Sequence, residues 1–296
     1  MQRRSKTSIG DRLVNGSAYA ITTLFALFCL IPFWMVIIGS FTDESSLRAE
    51  GFKLIPSKLS LYAYEFLLRG GQVYRSYLVT IETTVIGTLT AVLISAMFAY
   101  VLAHRKIKYK NALSFLTYFT MLFGSGLVGF YILVVNWLHL KDTLWALILP
   151  YLLNPFNTFV LVSFFRTVPY ELNEAATVDG SGEWRTFFRI ILPITTPVLA
   201  TTTLLYALQY WNDWWLALLF IDDYTLHPLQ IMIRQLISNM NAAAYIQGAS
   251  TGQLQQIPAY GVQLATVCVT IGPIVLLYPF LQRYFVKGLT IGSVKG

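Results

Sequence analysis

Long runs of apolar residues recur along the chain, and short polar segments separate them. The runs occupy residues 18–40, 77–103, 111–140, 143–165, 197–221 and 262–285. A helix that crosses a bilayer needs about 20 mostly apolar residues, since each residue advances the helix by about 1.5 Å. The pattern therefore predicts an all-α, polytopic membrane protein.

The third run decides the number of crossings. Its 30 residues carry no charge. A run of this length is too long for one straight helix and too short for two crossings. Gly124, Gly126 and Gly129 loosen a helix near its middle. We expect one crossing, a break at the glycines and a second piece at the outer surface, which gives six transmembrane helices in all. Pro32 predicts a kink in the first of them.

The composition excludes most soluble classes of protein. The 296 residues are 56% hydrophobic and only 12% charged, whereas soluble domains carry about 25% charged residues. A cytosolic enzyme, a coiled coil, a disordered chain and a secreted disulfide scaffold are thereby excluded. The net charge of +7 does not indicate nucleic-acid binding, because the basic residues lie between the apolar runs. Cys29 and Cys268 lie within such runs as small hydrophobic residues, so no disulfide is expected.

The basic residues between the runs predict the orientation. With six crossings, 14 of the 21 Lys and Arg residues fall on the side of the two termini. Basic residues prefer the cytoplasmic side, so both termini are expected in the cytoplasm. A basic segment precedes the first run, as in a signal peptide, but the run is too long for a cleaved one. No small-residue cleavage site follows it, so we expect a retained anchor helix.

Three sequence signatures of nucleotide or metal binding are either absent or in the wrong context. Residues 124–129 have the spacing of a dinucleotide-binding loop, but no strand precedes them. The chain has no Gly-Lys dipeptide, so a phosphate-binding loop would have to come from another polypeptide. His104, His139 and His227 lack the spacing of metal ligands. We therefore expect no metal, no cofactor and no catalytic residue.

A compact polar segment between the fourth and fifth runs is the most unusual feature. Pro169, Glu171 and Glu174 suit the start of a short helix, and Gly180 suits a left-handed stop. A second helix is predicted to follow and to end at Pro193, and the small residues Ala175 and Ala176 would permit close approach by another surface. An apolar stripe runs along the second helix at Trp184, Phe187, Phe188 and Ile191. Two interpretations stay open, namely a hairpin that docks on a partner and a connector that packs only on its own helices.

The spacing in this segment resembles the signature loop of permease subunits in bacterial binding-protein-dependent ABC importers. The matching positions are Glu174, Ala175, Ala176, Gly180, Ile190, Leu192 and Pro193. Residues 84–103, Leu144-Trp145-Ala146-Leu147 and Trp211-Asn212-Asp213 also resemble that family. The tail from 278 to 296 is similar to the maltose-permease branch for carbohydrates, and most of all to its complex-oligosaccharide members. The resemblance covers roughly residues 15 to 296.

The resemblance implies a type I importer permease in a bacterial plasma membrane. Its implied partners are a second homologous permease, two ATP-binding subunits, an extracytoplasmic sugar-binding protein and the lipid bilayer. The implied ATPase-coupling residues are Glu171, Glu174, Ala175, Ala176, Asp179, Gly180, Ile190, Leu192 and Pro193, with Val294 and Lys295 in a tail that reaches between the ATPases. Residues 1–75 would hold the cytoplasmic tail, first helix and first outer loop, 76–285 the transmembrane domain with coupling loop 167–196, and 286–296 the cytoplasmic tail.

Polar residues inside the apolar runs are candidates for a translocation pathway. They are Glu82, Asn154, Gln209, Trp211, Asn212 and Asp213. A charge at mid-bilayer costs about 2.5 to 3.5 kcal/mol, so it needs a reason. Aromatic faces with amides and carboxylates suit sugars, but an interfacial aromatic belt with interhelix hydrogen bonds is the alternative. We assign Trp214 and Trp215 to the belt, and leave Asn212 and Asp213 between a pathway and an interhelix role.

Two further breaks in regularity are predicted. Pro150, Asn154 and Pro155 should interrupt the fourth helix, which is tolerated only against protein or a water-filled cavity. A long outer loop at 222–260 should contain a short helix at 229–237, followed by a Gly, Ser, Gln and Pro-rich stretch at 247–258.

The sequence thus predicts a non-enzymatic permease subunit that carries a carbohydrate, and an oligosaccharide in particular. Alternatives are a stand-alone secondary transporter, a permease for a non-sugar solute and a non-transporting membrane scaffold. Secondary transporters commonly show internal repeats and intramembrane carboxylate relays. This chain shows no repeat and only two candidate carboxylates, which favours the importer permease.

Overall fold

The computed structural model describes residues 9–249 and 260–271, and this part of the chain is almost entirely helical. An isolated antiparallel bridge joins Thr42 and Leu59. The α-helices are α1 Ile9–Ser40, α2 Glu44–Glu50, α3 Tyr62–Leu68, α4 Gln72–Ala103, α5 Lys110–Leu122, α6 Gly126–Ile132, α7 Leu144–Ile148, α8 Pro155–Phe165, α9 Glu171–Val178, α10 Glu183–Thr186, α11 Leu192–Ile194, α12 Thr196–Trp211, α13 Trp215–Phe220, α14 Leu229–Ala249 and α15 Tyr260–Ile271. Short π-helical or 3₁₀ turns at Leu133–Trp137, Leu149–Tyr151, Phe187–Ile191 and Tyr224–Leu226 extend or join them.

The described residues form two compact units, one from 9–70 with 236–249 and 260–271, the other from 71–235. In the second unit α4 is the central helix, and it packs along both α12 and α8. Most of its buried side chains are small, for example Ala91, Ala96 and Ala99, each at most 1% exposed. Small residues let helix backbones approach closely, which is how helices associate in a bilayer.

A tight contact in this unit lies between α4 and α12. A Cβ atom at Gly87 would fall 2.6–2.8 Å from ring atoms of Tyr210. The Tyr210 hydroxyl in turn donates a hydrogen bond to the carbonyl of Ile148, at 3.0 Å. Glycine at 87 is therefore required by space and not by its backbone angle.

In the first unit, the segment after α1 folds back on apolar helix α15. The Glu44 carboxylate accepts hydrogen bonds from the backbone N–H groups of Gly261, at 2.9 Å, and Tyr260, at 3.3 Å. Ser40 and Tyr64 share a hydrogen bond of 2.8 Å between their hydroxyls. Helix α1 runs unbroken through Pro32, and its side chains from 14 to 34 are exposed. An apolar surface of this length suits contact with lipid.

The breaks predicted in the third and fourth runs are confirmed. Helices α5 and α6 meet at 114° across residues 123–125, and Gly126 adopts a positive φ of 74°. The piece Leu144–Tyr151 meets α8 at 45°. Asn154 caps α8, because its side-chain oxygen accepts the N–H of Asn157 at 3.2 Å.

Three predicted boundaries differ from the structure. The fifth run is not one helix, since residues 212–214 separate α12 from α13. The second helix of the polar segment does not end at Pro193 but one residue later, at Ile194, because proline fits the first turn of α11. The helix expected at 229–237 extends to Ala249, because the residues after 237 also favour a helix.

The described helices do not by themselves establish six crossings. Two of them are long and apolar enough to span a membrane, and up to five spans result if each bent pair counts as one. Helix α15 is a shorter apolar helix at the end of the described residues. The multi-pass character is clear, and the number six stays a prediction.

Candidate functional site

The polar segment between α8 and α12 folds as a closed helical hairpin. Helix α9 ends in a Schellman motif, in which Ser181 N–H donates to the Ala176 carbonyl at 2.8 Å and Gly180 N–H to the Thr177 carbonyl at 3.1 Å. Gly180 has a φ of +73°, which confirms the left-handed backbone conformation predicted for this residue. Gly182 has a φ of −72°. The turn that reverses the chain is therefore fixed by backbone hydrogen bonds.

The first helix of the hairpin turns one face outward and one face inward. Glu171, Glu174, Ala175 and Asp179 are exposed. Both glutamates lie in the first turn, where negative charge is favoured by the helix dipole. Ala176 is only 4% exposed and packs inside this chain, so of the two alanines only Ala175 is open to a partner.

The second helix splits its predicted apolar stripe between two faces. Phe187 and Ile191 are 3% and 2% exposed, respectively, and belong to the interior. Trp184 and Phe188 are exposed, and their rings stack on each other with centroids 6.0 Å apart. The three remaining signature positions are Ile190 and Leu192, which are half-buried, and Pro193, which is exposed. The hairpin therefore packs in part on its own helices and keeps an outward surface, and docking of that surface on a partner stays a prediction.

Tyr100, near the end of α4, joins the two helices of the hairpin. Its hydroxyl lies 2.9 Å from Glu183 Oε2 and 3.1 Å from Asn173 Oδ1, and it can donate its proton to either. Its ring packs against Phe187, with centroids 5.3 Å apart. The hydroxyl of a residue in a long apolar helix therefore lies within hydrogen-bond distance of both arms of the hairpin.

The loop after α4 holds the entrance of the hairpin. The His104 and Tyr170 rings meet edge to face at 5.8 Å, and the Arg105 guanidinium lies 5.0 Å from the Tyr170 ring centroid. Cation–π contacts of this kind contribute about 0.5–1 kcal/mol at exposed sites. The hairpin is thus attached to the end of α4 at two places.

A second polar cluster lies where broken helices meet inside the same unit. The Asn154 amide donates to Gln209 Oε1 at 3.3 Å, and the Tyr151 hydroxyl donates to Asp213 Oδ1 at 2.9 Å. The Tyr206 hydroxyl accepts the backbone N–H of Asn154 at 2.9 Å and shares a 2.6 Å hydrogen bond with Ser95. The structure thus brings together three of the six predicted pathway residues, Asn154, Gln209 and Asp213.

The other three candidate pathway residues lie apart from this cluster. Trp211 is 8% exposed and faces Tyr77, with ring centroids 6.5 Å apart. Asn212 is exposed and lies within 3.5 Å of the Gln230 amide. Glu82 is on an exposed face of α4. Buried Asp213 Oδ2 has no hydrogen-bond partner in the described part of the chain, and the same holds for the Trp211 indole nitrogen.

Sequence reasoning missed the tyrosines that organise both sites. Tyr100, Tyr151 and Tyr206 each place a hydroxyl at a break or a hairpin. One signal was present, because Tyr206, Tyr210 and Asp213 follow each other in the sequence at the helical spacings of four and three. No comparable signal marks Tyr100 or Tyr151.

A family model described as "binding-protein-dependent transport system inner membrane component" matches residues 91–291. The chain belongs to this family. It is 38% identical to the polygalacturonan/rhamnogalacturonan transport system permease protein YtcP of Bacillus subtilis (strain 168), over 97% of this chain and 99% of that protein. It is 42% identical to the protein LplC of the same organism, over 90% of each chain.

A solved structure shows the same fold. It is a chain of a bacterial ABC transporter involved in the import of the acidic polysaccharide alginate, with a TM-score of 0.82 and 25% identity. The match covers 95% of this chain and 99% of that one. The predicted resemblance and the helical type I permease fold are confirmed. The chain is a multi-pass membrane component of a transport system and not an enzyme.

Replacement of Gly180 by alanine tests whether the closed turn matters for transport. A Cβ atom at a φ of +73° is strained by about 1 kcal/mol, so the turn should loosen and uptake by the assembled importer should fall. Gly182→Ala is the matched control, because Gly182 has a negative φ and open space around its Cα. Initial uptake rates measure the effect at equal protein level. Equal rates for the two variants would contradict a role for this turn.

Proposed function

We propose that the chain forms half of the translocation pathway of an ATP-driven importer for an oligosaccharide, and that the α9–α11 hairpin couples it to a separate ATPase. Family membership over residues 91–291 is the observation that carries this proposal. The implied partners are a second homologous permease, two ATP-binding subunits and an extracytoplasmic sugar-binding protein.

The geometry of the hairpin supports the coupling role. Force can pass through a connection only if that connection does not yield, and this hairpin is closed by a Schellman motif and bonded to α4 through Tyr100. Its outward surface carries Glu171, Glu174, Ala175 and Asp179. None of these three carboxylates forms a salt bridge within residues 9–249 and 260–271. A basic residue of an ATPase cleft is the partner that suits Glu174.

The topology belongs to the same proposal. The hairpin and both termini face the cytoplasm, the chain crosses the plasma membrane six times, and the transmembrane domain spans 76–285 with its coupling loop at 167–196. Residues 1–75 form the preceding segment, and 286–296 form a tail in which Val294 and Lys295 contact the ATPases. Val294 and Lys295 lie outside the described residues.

The polar cluster at the helix breaks supports a hydrophilic solute. Asn154 and Gln209 are half-buried amides, and Asp213 is a half-buried carboxylate. Such groups bond sugar hydroxyls and are costly in a bilayer without a purpose. We assign these three residues to the pathway wall, and Glu82, Trp211 and Asn212 to neighbouring positions on it.

Acidic oligosaccharides are the first substrates to test. The relative YtcP is named for polygalacturonan and rhamnogalacturonan transport, and the structural neighbour for the acidic polysaccharide alginate. We expect cells that contain the complete importer to take up labelled oligogalacturonides, and deletion of this permease to abolish that uptake. Neutral malto-oligosaccharides and free glucose are the comparison solutes. Uptake that persists after deletion, or after removal of the ATPase, would contradict the proposal.

Charge reversal at Glu174 tests the coupling surface. Glu174→Arg should reduce oligosaccharide uptake about tenfold or more, because a lost charge pair at a protein interface costs about 2 kcal/mol or more. Glu65→Arg is the matched control, since Glu65 is also an exposed helical glutamate, and its ion pair with Arg69 has side chains 61–67% exposed. Both the amount of ATPase that co-purifies and the uptake rate should fall for Glu174→Arg and stay unchanged for Glu65→Arg. Normal ATP-coupled uptake by Glu174→Arg would refute the coupling role.

A further inference from the structure

A cavity of about 400 Å³ lies next to the hairpin, where one end of each of three apolar helices meets the others. Its wall is formed by the end of α4, the start of α5, the end of α8 and the first residues of the hairpin. Each of these three helices is a membrane span or part of one, by length and composition. The cavity therefore lies at the depth at which spans meet the polar headgroups.

The charge in this cavity is one-sided. Arg105, Lys110 and Arg166 line it together with His104, and no aspartate or glutamate among the described residues does. None of the three cations forms a salt bridge within the described ranges 9–249 and 260–271. Like charges that share a small space repel each other, and they repel more strongly where water is scarce. An anion in the cavity would remove this repulsion.

Other contacts hold two of these cations at the wall. The Arg105 guanidinium rests on the Tyr170 ring, with 5.0 Å to the ring centroid. The Lys110 ammonium donates to the backbone carbonyl of Arg105 at 3.4 Å. Neither contact neutralises a charge. Lys106 and Lys108 are exposed, as Arg105 and Arg166 are, but they do not line the cavity, so the cavity selects particular basic residues from this region.

We propose that this cavity binds the phosphate group of an anionic phospholipid. Arginine presents a planar fork of donors that matches phosphate, and basic pockets between spans suit lipid headgroups. Asn173 supplies an amide, and Phe165 and Ile191 supply apolar wall for the glycerol region. Because Tyr170 and Asn173 belong to the hairpin segment, a bound headgroup links the hairpin to the helix ends. The proposal needs only a membrane-embedded chain and does not depend on the coupling role of Glu174.

Two other anions could in principle occupy the cavity, and the experiment must separate them from the lipid. Free phosphate shares the same chemistry but has no anchor in the bilayer. An acidic side chain of an ATPase subunit is the third source. The lipid, free phosphate and the ATPase side chain differ in whether they stay bound to the complex after purification, and in which added anion displaces them.

The test measures lipid retention by the assembled importer with native mass spectrometry. The complex is exchanged into equal amounts of phosphatidylglycerol and phosphatidylcholine, and the bound lipids are counted. We expect retained phosphatidylglycerol in the wild type and about 25-fold less in the double variant Arg105→Gln with Arg166→Gln, since each of the two basic residues near an anionic lipid contributes roughly a five-fold factor. The control Lys106→Gln with Lys108→Gln removes the same charge outside the cavity and should retain the lipid.

A charge-preserving pair guards against a folding defect. Arg105→Lys with Arg166→Lys should recover most of the retained phosphatidylglycerol, and millimolar inorganic phosphate should displace it from the wild type. Equal loss in the Arg105/Arg166 and Lys106/Lys108 glutamine pairs would overturn the proposal in favour of diffuse surface charge. Equal retention of phosphatidylglycerol and phosphatidylcholine would also overturn the proposal. Stabilisation of the complex by inorganic phosphate alone would then indicate free phosphate as the anion. Loss of the ATPase subunits from the Arg105/Arg166 glutamine pair would instead indicate an acidic side chain of an ATPase subunit.

Discussion

The hydrogen bonds of one tyrosine hydroxyl connect the hairpin to the rest of the molecule. Tyr100 sits near the end of the central helix α4 and reaches Asn173 in one arm of the hairpin and Glu183 in the other. The hairpin is also held by its buried Ala176, Thr186, Phe187 and Ile191, and by the contacts of Tyr170 with His104 and Arg105. Helix α4, to which it is attached, packs on both α8 and α12. If the hairpin couples to an ATPase as proposed, this is the physical route from the hairpin to the helices proposed to line the pathway.

Tyrosine hydroxyls also stabilise the places where helices are interrupted inside the bilayer. A break frees backbone N–H and carbonyl groups that water cannot satisfy there. Tyr206 accepts the N–H of Asn154, and Tyr210 donates to the carbonyl of Ile148, so the broken fourth helix is satisfied from α12. Gly87 makes room for the Tyr210 ring against α4. The breaks, the small residue and the tyrosines form one arrangement, which leaves the polar groups of Asn154, Gln209 and Asp213 together.

Local features of the fold were predictable from sequence, and long-range ones were not. The apolar runs, the glycine break at 124–126, the interruption at Asn154 and the left-handed Gly180 follow from residue type and period. The Tyr100–Glu183 and Ser95–Tyr206 bonds join residues 83 and 111 positions apart, and no local pattern marks such pairs. The split stripe of the second hairpin helix was missed for a related reason, because a period shows that a face exists but not which part a neighbouring helix covers.

Cross-linking from Ala175 shows whether the hairpin contacts an ATPase subunit in the assembled importer. Ala175 is exposed on the hairpin, and a cysteine placed there, with Cys29 and Cys268 replaced by serine, can carry a maleimide–benzophenone cross-linker. We expect a photoadduct with the ATPase subunit in the assembled importer, and none from a cysteine at Ser57 in the segment proposed to lie outside. A hairpin cysteine that forms no ATPase adduct, or that an impermeant maleimide labels from the exterior of intact cells, would contradict the proposed coupling role.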